Sequence, residues 1–97
     1  MVAVIEAYTT KDGLILFGNN KNIIGNVVSA EIKGPHYYEK ELILKNEEGS
    51  KFIFKGGCFS AGYGGDGPNG TYAVLRELEF DIGKEFIYEN ENFKIEK

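Results

Sequence analysis

The 97-residue sequence contains one cysteine, one methionine, one histidine, two prolines and no tryptophan. A single cysteine cannot close an intramolecular disulfide, so no disulfide framework is expected. One Cys and one His, with no ligand spacing around them, do not make a zinc centre, and no metal or cofactor is expected. Positive charge is sparse and dispersed. Lys and Arg number 11 against 15 Asp and Glu, for a net charge of −4, and Arg76 is the single arginine. Polyanions and anionic lipid surfaces are held by clustered positive charge, so DNA, RNA polymers and membranes are not expected partners. No apolar run approaches the ~18 residues of a membrane span. Met1-Val2-Ala3-Val4-Ile5 reaches Glu6 with no basic stretch before it, unlike a signal peptide. The expected location is the cytoplasm.

What is present fits a folded soluble chain. Hydrophobic residues make up 42 % and charged residues 27 %, a balance that argues against disorder. The length predicts one domain over residues 1–97, and neither a repeat nor a linker divides it. Aromatics, all Tyr and Phe, reach 13 % and suit strand faces.

The pattern predicts α+β architecture, mainly antiparallel, with six or seven short strands and one helix. Val2–Tyr8 reads as a strand by β-branched content. Lys11-Asp12-Gly13 carries a hairpin signal, since glycine accepts the positive φ of tight turns. Leu14–Phe17 then reads as a second strand and Gly18–Asn22 as loop. Ile23–Lys33 reads mostly as a strand, with Val28, Ala30 and Ile32 on one face and a bulge marked by Gly25. Glu39–Asn46 and Lys51–Lys55 form a hairpin across Asn46-Glu47-Glu48-Gly49. Residues 68–78 are the helix, opened by Pro68. Lys84–Glu89 and Phe93–Glu96 read as two last strands. The expected form is a curved sheet or partly open barrel with the helix over one face. Its edges need cover, which a homo-oligomer would supply.

Seven of the 13 glycines lie between Gly56 and Gly70. Gly65-Asp66-Gly67-Pro68-Asn69-Gly70 matches G-x-G-x-x-G, but the dinucleotide fold needs a βαβ unit around it, which the remaining residues do not provide. The same glycines have P-loop spacing with Thr71 in the hydroxyl position, but the lysine is missing. What survives is a glycine-rich loop feeding a helix N-terminus, a place that holds phosphate or carboxylate through backbone N–H groups. Candidate ligand-binding residues are Gly62, Tyr63, Gly64, Gly65, Asp66, Gly67, Asn69, Gly70 and Thr71. Asn69, Thr71 and the N–H groups of Gly70 and Thr71 are the donors, and Tyr63 is the stacking ring. Asp66 counts against an anion unless it points away or binds a sugar hydroxyl. Arg76 adds a guanidinium suited to bidentate phosphate contact. His36 and Tyr37, beside Tyr38, offer a second aromatic group and a proton donor. The bland alternative is a surface connection that needs glycine for its path. Cys58 with His36 is the only thiol–imidazole candidate, and a lone cysteine is usually a small buried hydrophobe. No catalytic group is therefore assigned, and the chain is read as a non-enzyme.

The run Gly62-Tyr63-Gly64-Gly65-Asp66-Gly67-Pro68-Asn69-Gly70 before a short helix, in a small acidic β-rich chain, resembles phage anti-defence "sponge" proteins of the anti-Thoeris and anti-CBASS type. The resemblance implies a viral protein in the host cytoplasm, a non-catalytic oligomer that sequesters a cyclic or ADP-ribose-derived nucleotide signal. It assigns no residue a role. The functional expectation is a binding protein for a phosphorylated small molecule, with a nucleotide foremost. The alternative is a protein-interaction module, such as an inhibitor or immunity protein, with no small-molecule ligand.

Overall fold

A computed structural model describes residues 1–97. The chain runs β1 (Val2–Glu6), α1 (Thr10–Ile24), β2 (Val27–Lys33), a 3-10 turn (Tyr37–Glu39), β3 (Glu41–Asn46), β4 (Lys51–Lys55), α2 (Asp66–Glu77), α3 (Lys84–Glu89) and β5 (Phe93–Glu96). The five strands form one open sheet in the order β1-β4-β3-β2-β5. The β3–β4, β2–β3 and β2–β5 pairs are antiparallel, whereas β1 lies parallel to β4. The sheet is therefore mixed. Its parallel pair exists because β1 leaves the sheet through α1 rather than through a hairpin.

Two of the expected strands are helices. Leu14–Phe17 lies inside α1, and the predicted turn at Lys11-Asp12-Gly13 is its first turn. Thr9 caps it, its hydroxyl accepting from the Asp12 N–H at 3.1 Å, and Asp12 sits where the helix dipole favours an acid. The buried positions Gly13, Phe17 and Ile24 follow helical spacing. Gly25 closes α1 at φ +70°, its N–H bonding Lys21 O, so it is a helix end and not a bulge. The bulge falls between Val27 and Ser29. It puts Val27, Ala30 and Ile32 in the core and leaves Val28 half-buried. Lys84–Glu89 is the second correction. It forms the short helix α3, which buries Ile87.

All three helices cover one face of the sheet. Ala30, Ile32, Leu42, Leu44, Phe52 and Phe54 of the strands join Phe17, Ile24, Val74, Leu75 and Ile87 of the helices in one core. The opposite face carries a lattice of Lys and Glu with Ile43 and Ile53 among them. No helix is long and apolar enough to cross a membrane.

Candidate functional site

The chain between β4 and α2 is pinned at its centre. Phe59 is fully buried, its ring in edge contact with Phe54 at 5.4 Å. The Thr10 hydroxyl donates to Cys58 O at 2.9 Å, tying the start of α1 to the same point. Further on, the Thr71 hydroxyl donates to Ser60 O at 2.8 Å and lies 3.1 Å from Gly67 O. Gly67 and Gly70 let α2 close on this segment. A Cβ on Gly67 would lie 2.0 Å from Ser60 Oγ, and one on Gly70 would lie 2.4 Å from Thr10 Cγ2.

These contacts reassign several predicted ligand residues. The helix begins at Asp66, two residues before the expected start. The N–H groups of Gly70 and Thr71 therefore fall inside the hydrogen-bonded ladder and are not free donors. Gly67, Gly70 and Thr71 are buried, and the Thr71 hydroxyl is directed to backbone oxygens. Arg76 is exposed near the far end of α2, with its guanidinium 3.8 Å from Asp81. Gly65 is the N-terminal cap residue of α2, and a Cβ there would meet the Tyr63 ring at 2.9 Å. Gly64 lies nearest Tyr88, whose hydroxyl donates to Asn69 Oδ1.

The remaining candidates separate into two cavities. Asp66, Asn69 and Gly70 line one of about 500 Å³ with Thr10, Lys11, Leu14 and Ile15. His36, Tyr37, Gly62 and Tyr63 line the other, of about 350 Å³, with Pro35, Tyr38, Lys40, Ala61 and Glu91. The first is larger but contains no buried charge. The second contains a buried lysine, Lys40.

Four aromatic rings meet at this second cleft. His36 stacks on Tyr38 at 5.4 Å with planes 12° apart. Tyr37 meets Tyr38 edge-on at 5.3 Å and Tyr63 at 6.0 Å. A Ser60 Oγ–Tyr63 OH contact of 2.9 Å orients the Tyr63 phenol. Two glycines bring the walls together. At Gly57, φ is +77° and a Cβ would lie 2.7 Å from Tyr38 Cα; at Gly62, φ is +96° and a Cβ would lie 2.5 Å from Glu91 Cγ. Both conformations belong to the left-handed region that glycine occupies freely.

The cleft also holds a buried cation that belongs to no sequence motif. Lys40 is 3 % exposed. Its ammonium donates to Gly34 O at 2.8 Å and to Asn92 Oδ1 at 3.0 Å. Two of its three N–H donors are thus used, and both acceptors are neutral. No carboxylate lies within 4.0 Å, since the ion pairs of the chain are Lys21–Glu77, Lys55–Glu41 and Arg76–Asp81. The signal was in the strand alternation. Leu42 and Leu44 take the core face, and period two carries that face back to Lys40.

The thiol–imidazole candidate does not assemble. Cys58 is fully buried, and its Sγ makes its contact with Lys55 O, at 3.8 Å, rather than with His36. Burial pushes the thiol pKa up, outweighing the backbone N–H groups of Phe59 and Cys58 that pull it down. Native protein is expected to react with iodoacetamide about 100-fold more slowly than protein in denaturant, because the thiol must first be exposed by opening. Equal rates in a timed mass-spectrometric assay would contradict this placement. No group of three or more His, Cys, Asp or Glu side chains is placed to hold a metal ion. No protein-family model, curated protein or solved structure matches the chain, so the chemistry of the cleft carries the functional reading.

Proposed function

We propose that this chain is a non-catalytic binding protein for a small phosphorylated molecule bearing an aromatic ring, a nucleotide foremost, held in the cleft of His36, Tyr37, Tyr38, Lys40, Tyr63 and Glu91. The observation that carries the reading is Lys40. This cation is withdrawn from water among neutral oxygens with no carboxylate within 4.0 Å, whereas buried charges are generally paired. A phosphate oxygen supplies the counter-charge through a charge-assisted hydrogen bond. The aromatic rings accept a base by stacking or edge contact, and Glu91 accepts from a ribose hydroxyl. A volume near 350 Å³ is at the small end of ligand pockets and suits mononucleotide-sized groups. No cysteine, serine or threonine lines the cleft. Retention without turnover is also what the resemblance to nucleotide-sequestering phage proteins implies, and with it a cytoplasmic setting.

A thermal-shift panel of mono-, di- and cyclic nucleotides tests the proposal. Ligand at 100 times its dissociation constant adds about 2.7 kcal/mol of stability. Lys40→Met keeps the aliphatic stem and removes the charge. It is expected to weaken binding by roughly 10–100-fold, the worth of a hydrogen bond to a charged group, while far-ultraviolet circular dichroism remains that of the wild type. No shift with any nucleotide, or undiminished binding by Lys40→Met, defeats the proposal.

The second reading, a protein-interaction module, draws on Tyr8, Tyr37 and Tyr38, which are 76 %, 62 % and 57 % exposed. Exposed tyrosines are enriched at interfaces. That reading predicts a chain indifferent to nucleotides and a partner lost on Tyr37→Ala.

A further inference from the structure

The two edges of the sheet are unlike. The β5 edge spans four residues and carries Lys94 and Glu96, followed by Lys97, charges of the kind that blunt an edge. The β1 edge has no lysine, proline or bulge, and Val2 and Val4 are 64 % and 54 % exposed. The direction of its backbone groups follows from β4. The Lys51 N–H donates to Met1 O and the Ala7 N–H to Lys55 O. By strand alternation the N–H and C=O groups of Ala3 and Ile5 face β4, and those of Val2, Val4 and Glu6 face outward, unpaired.

We propose that β1 pairs antiparallel with β1 of a second copy of this chain, with the two-fold axis at Val4. In this register Val4 exchanges both backbone hydrogen bonds with the partner's Val4, and Val2 does so with the partner's Glu6. All three outward-facing residues are satisfied at once. The register also completes the open face. The row Val4–Ile53–Ile43 meets its own copy and becomes one apolar stripe across both sheets. The neighbouring row, Val2–Lys51–Lys45, holds two lysines directly opposite each other, an unfavourable cross-strand pair. Neither has a carboxylate within ion-pair distance. The partner's Glu6 enters that row beside Val2, two strands from Lys51 and within reach of its long side chain. The charge pattern is thus self-complementary, as an isologous interface requires. The charged β5 edge prevents the pairing from propagating into a fibre.

Sedimentation equilibrium of the full chain tests this, with native mass spectrometry as a second readout. Wild type is expected to be a dimer in the micromolar range. Val4→Lys sets two ammonium groups against each other on the axis and is expected to raise the dimer dissociation constant by about 100-fold or more. Val4→Glu alone should do the same. An equimolar mixture of the two variants should restore a heterodimer, which misfolded chains would not do. A monomeric wild type, a dimer unaffected by Val4→Lys, or a mixture that stays monomeric overturns the proposal.

Discussion

Gly57→Ala is expected to destabilise the protein by about 3 kcal/mol and to abolish the proposed ligand binding at the aromatic cleft. Two costs add. The first is conformational: φ at Gly57 is +77°, where an L-residue costs about 1–2 kcal/mol. The second is steric. The new Cβ would lie 2.7 Å from Tyr38 Cα and O and 2.8 Å from Tyr38 C. These are backbone atoms that cannot rotate aside, and a forced shift costs about 1–3 kcal/mol. In a domain of this size the sum corresponds to a fall in melting temperature of roughly 15 °C. Gly49→Ala separates the two costs, because φ at Gly49 is +88° and no atom lies within 4 Å of the built Cβ. It should lose about 1–2 kcal/mol and keep ligand binding. The displaced Tyr38 carries Tyr37, His36 and Lys40 with it, so Gly57→Ala should lose the ligand-induced thermal shift even where it remains folded. Equal destabilisation by the two substitutions would show that contact with Tyr38 contributes nothing.

This contrast also explains what the sequence disclosed about the glycine stretch. Its density is plain in the sequence, and a phosphate loop is one use of such density. The glycines are instead distributed among different tasks. Gly57 and Gly62 bring the loop against Tyr38 and Glu91, while Gly67 and Gly70 bring α2 against Ser60, Phe59 and Thr10. No local pattern distinguishes a glycine needed for a ligand from one needed for a neighbouring backbone, because the neighbour is remote in sequence. His36 and Tyr37 are remote in sequence from Gly62 and Tyr63, and folding brings all four to one cleft.

Period-two alternation makes β2, β3 and β4 legible, because one face of each is buried and the other carries mostly Lys and Glu around Ile43 and Ile53. Leu14–Phe17 misled for the opposite reason. A continuous apolar run has no period, and Gly18, Asn19, Asn20 and Asn22 after it are weak helix formers. The helix is secured by the Thr9 cap, by burial of Gly13, Phe17 and Ile24, and by the Asn20 amide donating to Leu16 O. In α3 the sequence Phe86-Ile87-Tyr88 favours a strand, but the segment coils into a short helix that buries Ile87, whose carbonyl accepts from the Gly62 N–H at 2.9 Å. That bond couples the helix to the cleft and has no sequence signature.

Phe59→Ala is expected to cost about 3–5 kcal/mol, the range for removing a buried phenylalanine. The ring has no exposed surface and contacts elements from every layer. It meets Phe54 of the sheet at 5.4 Å. A Cβ on Gly13 of α1 would come within 3.1 Å of its Cζ, and one on Gly70 of α2 within 3.2 Å of its Cδ1. Both helices therefore seat directly on Phe59, and each has a glycine at or beside the contact. The cavity left by alanine is hard to fill, because Gly13 and Gly70, which face the ring from the two helices, have no side chain to move into it. A loss of this size is a large part of the 5–15 kcal/mol available to a small domain, and urea denaturation should show a correspondingly lower midpoint. Phe59→Leu retains most of the volume and should cost less than about 1.5 kcal/mol. The functional consequence follows from chain position. Ser60, next to Phe59, accepts the Thr71 hydroxyl through its carbonyl and holds the Tyr63 phenol through its own hydroxyl. Loosening Phe59 frees the wall of the cleft that carries Tyr63. Phe59→Ala should therefore show a weaker ligand-induced shift than Phe59→Leu when both are measured at the same fraction folded. A Phe59→Ala protein within 1 kcal/mol of wild type would show that α1 and α2 close over the vacancy, and that their seating does not depend on this ring.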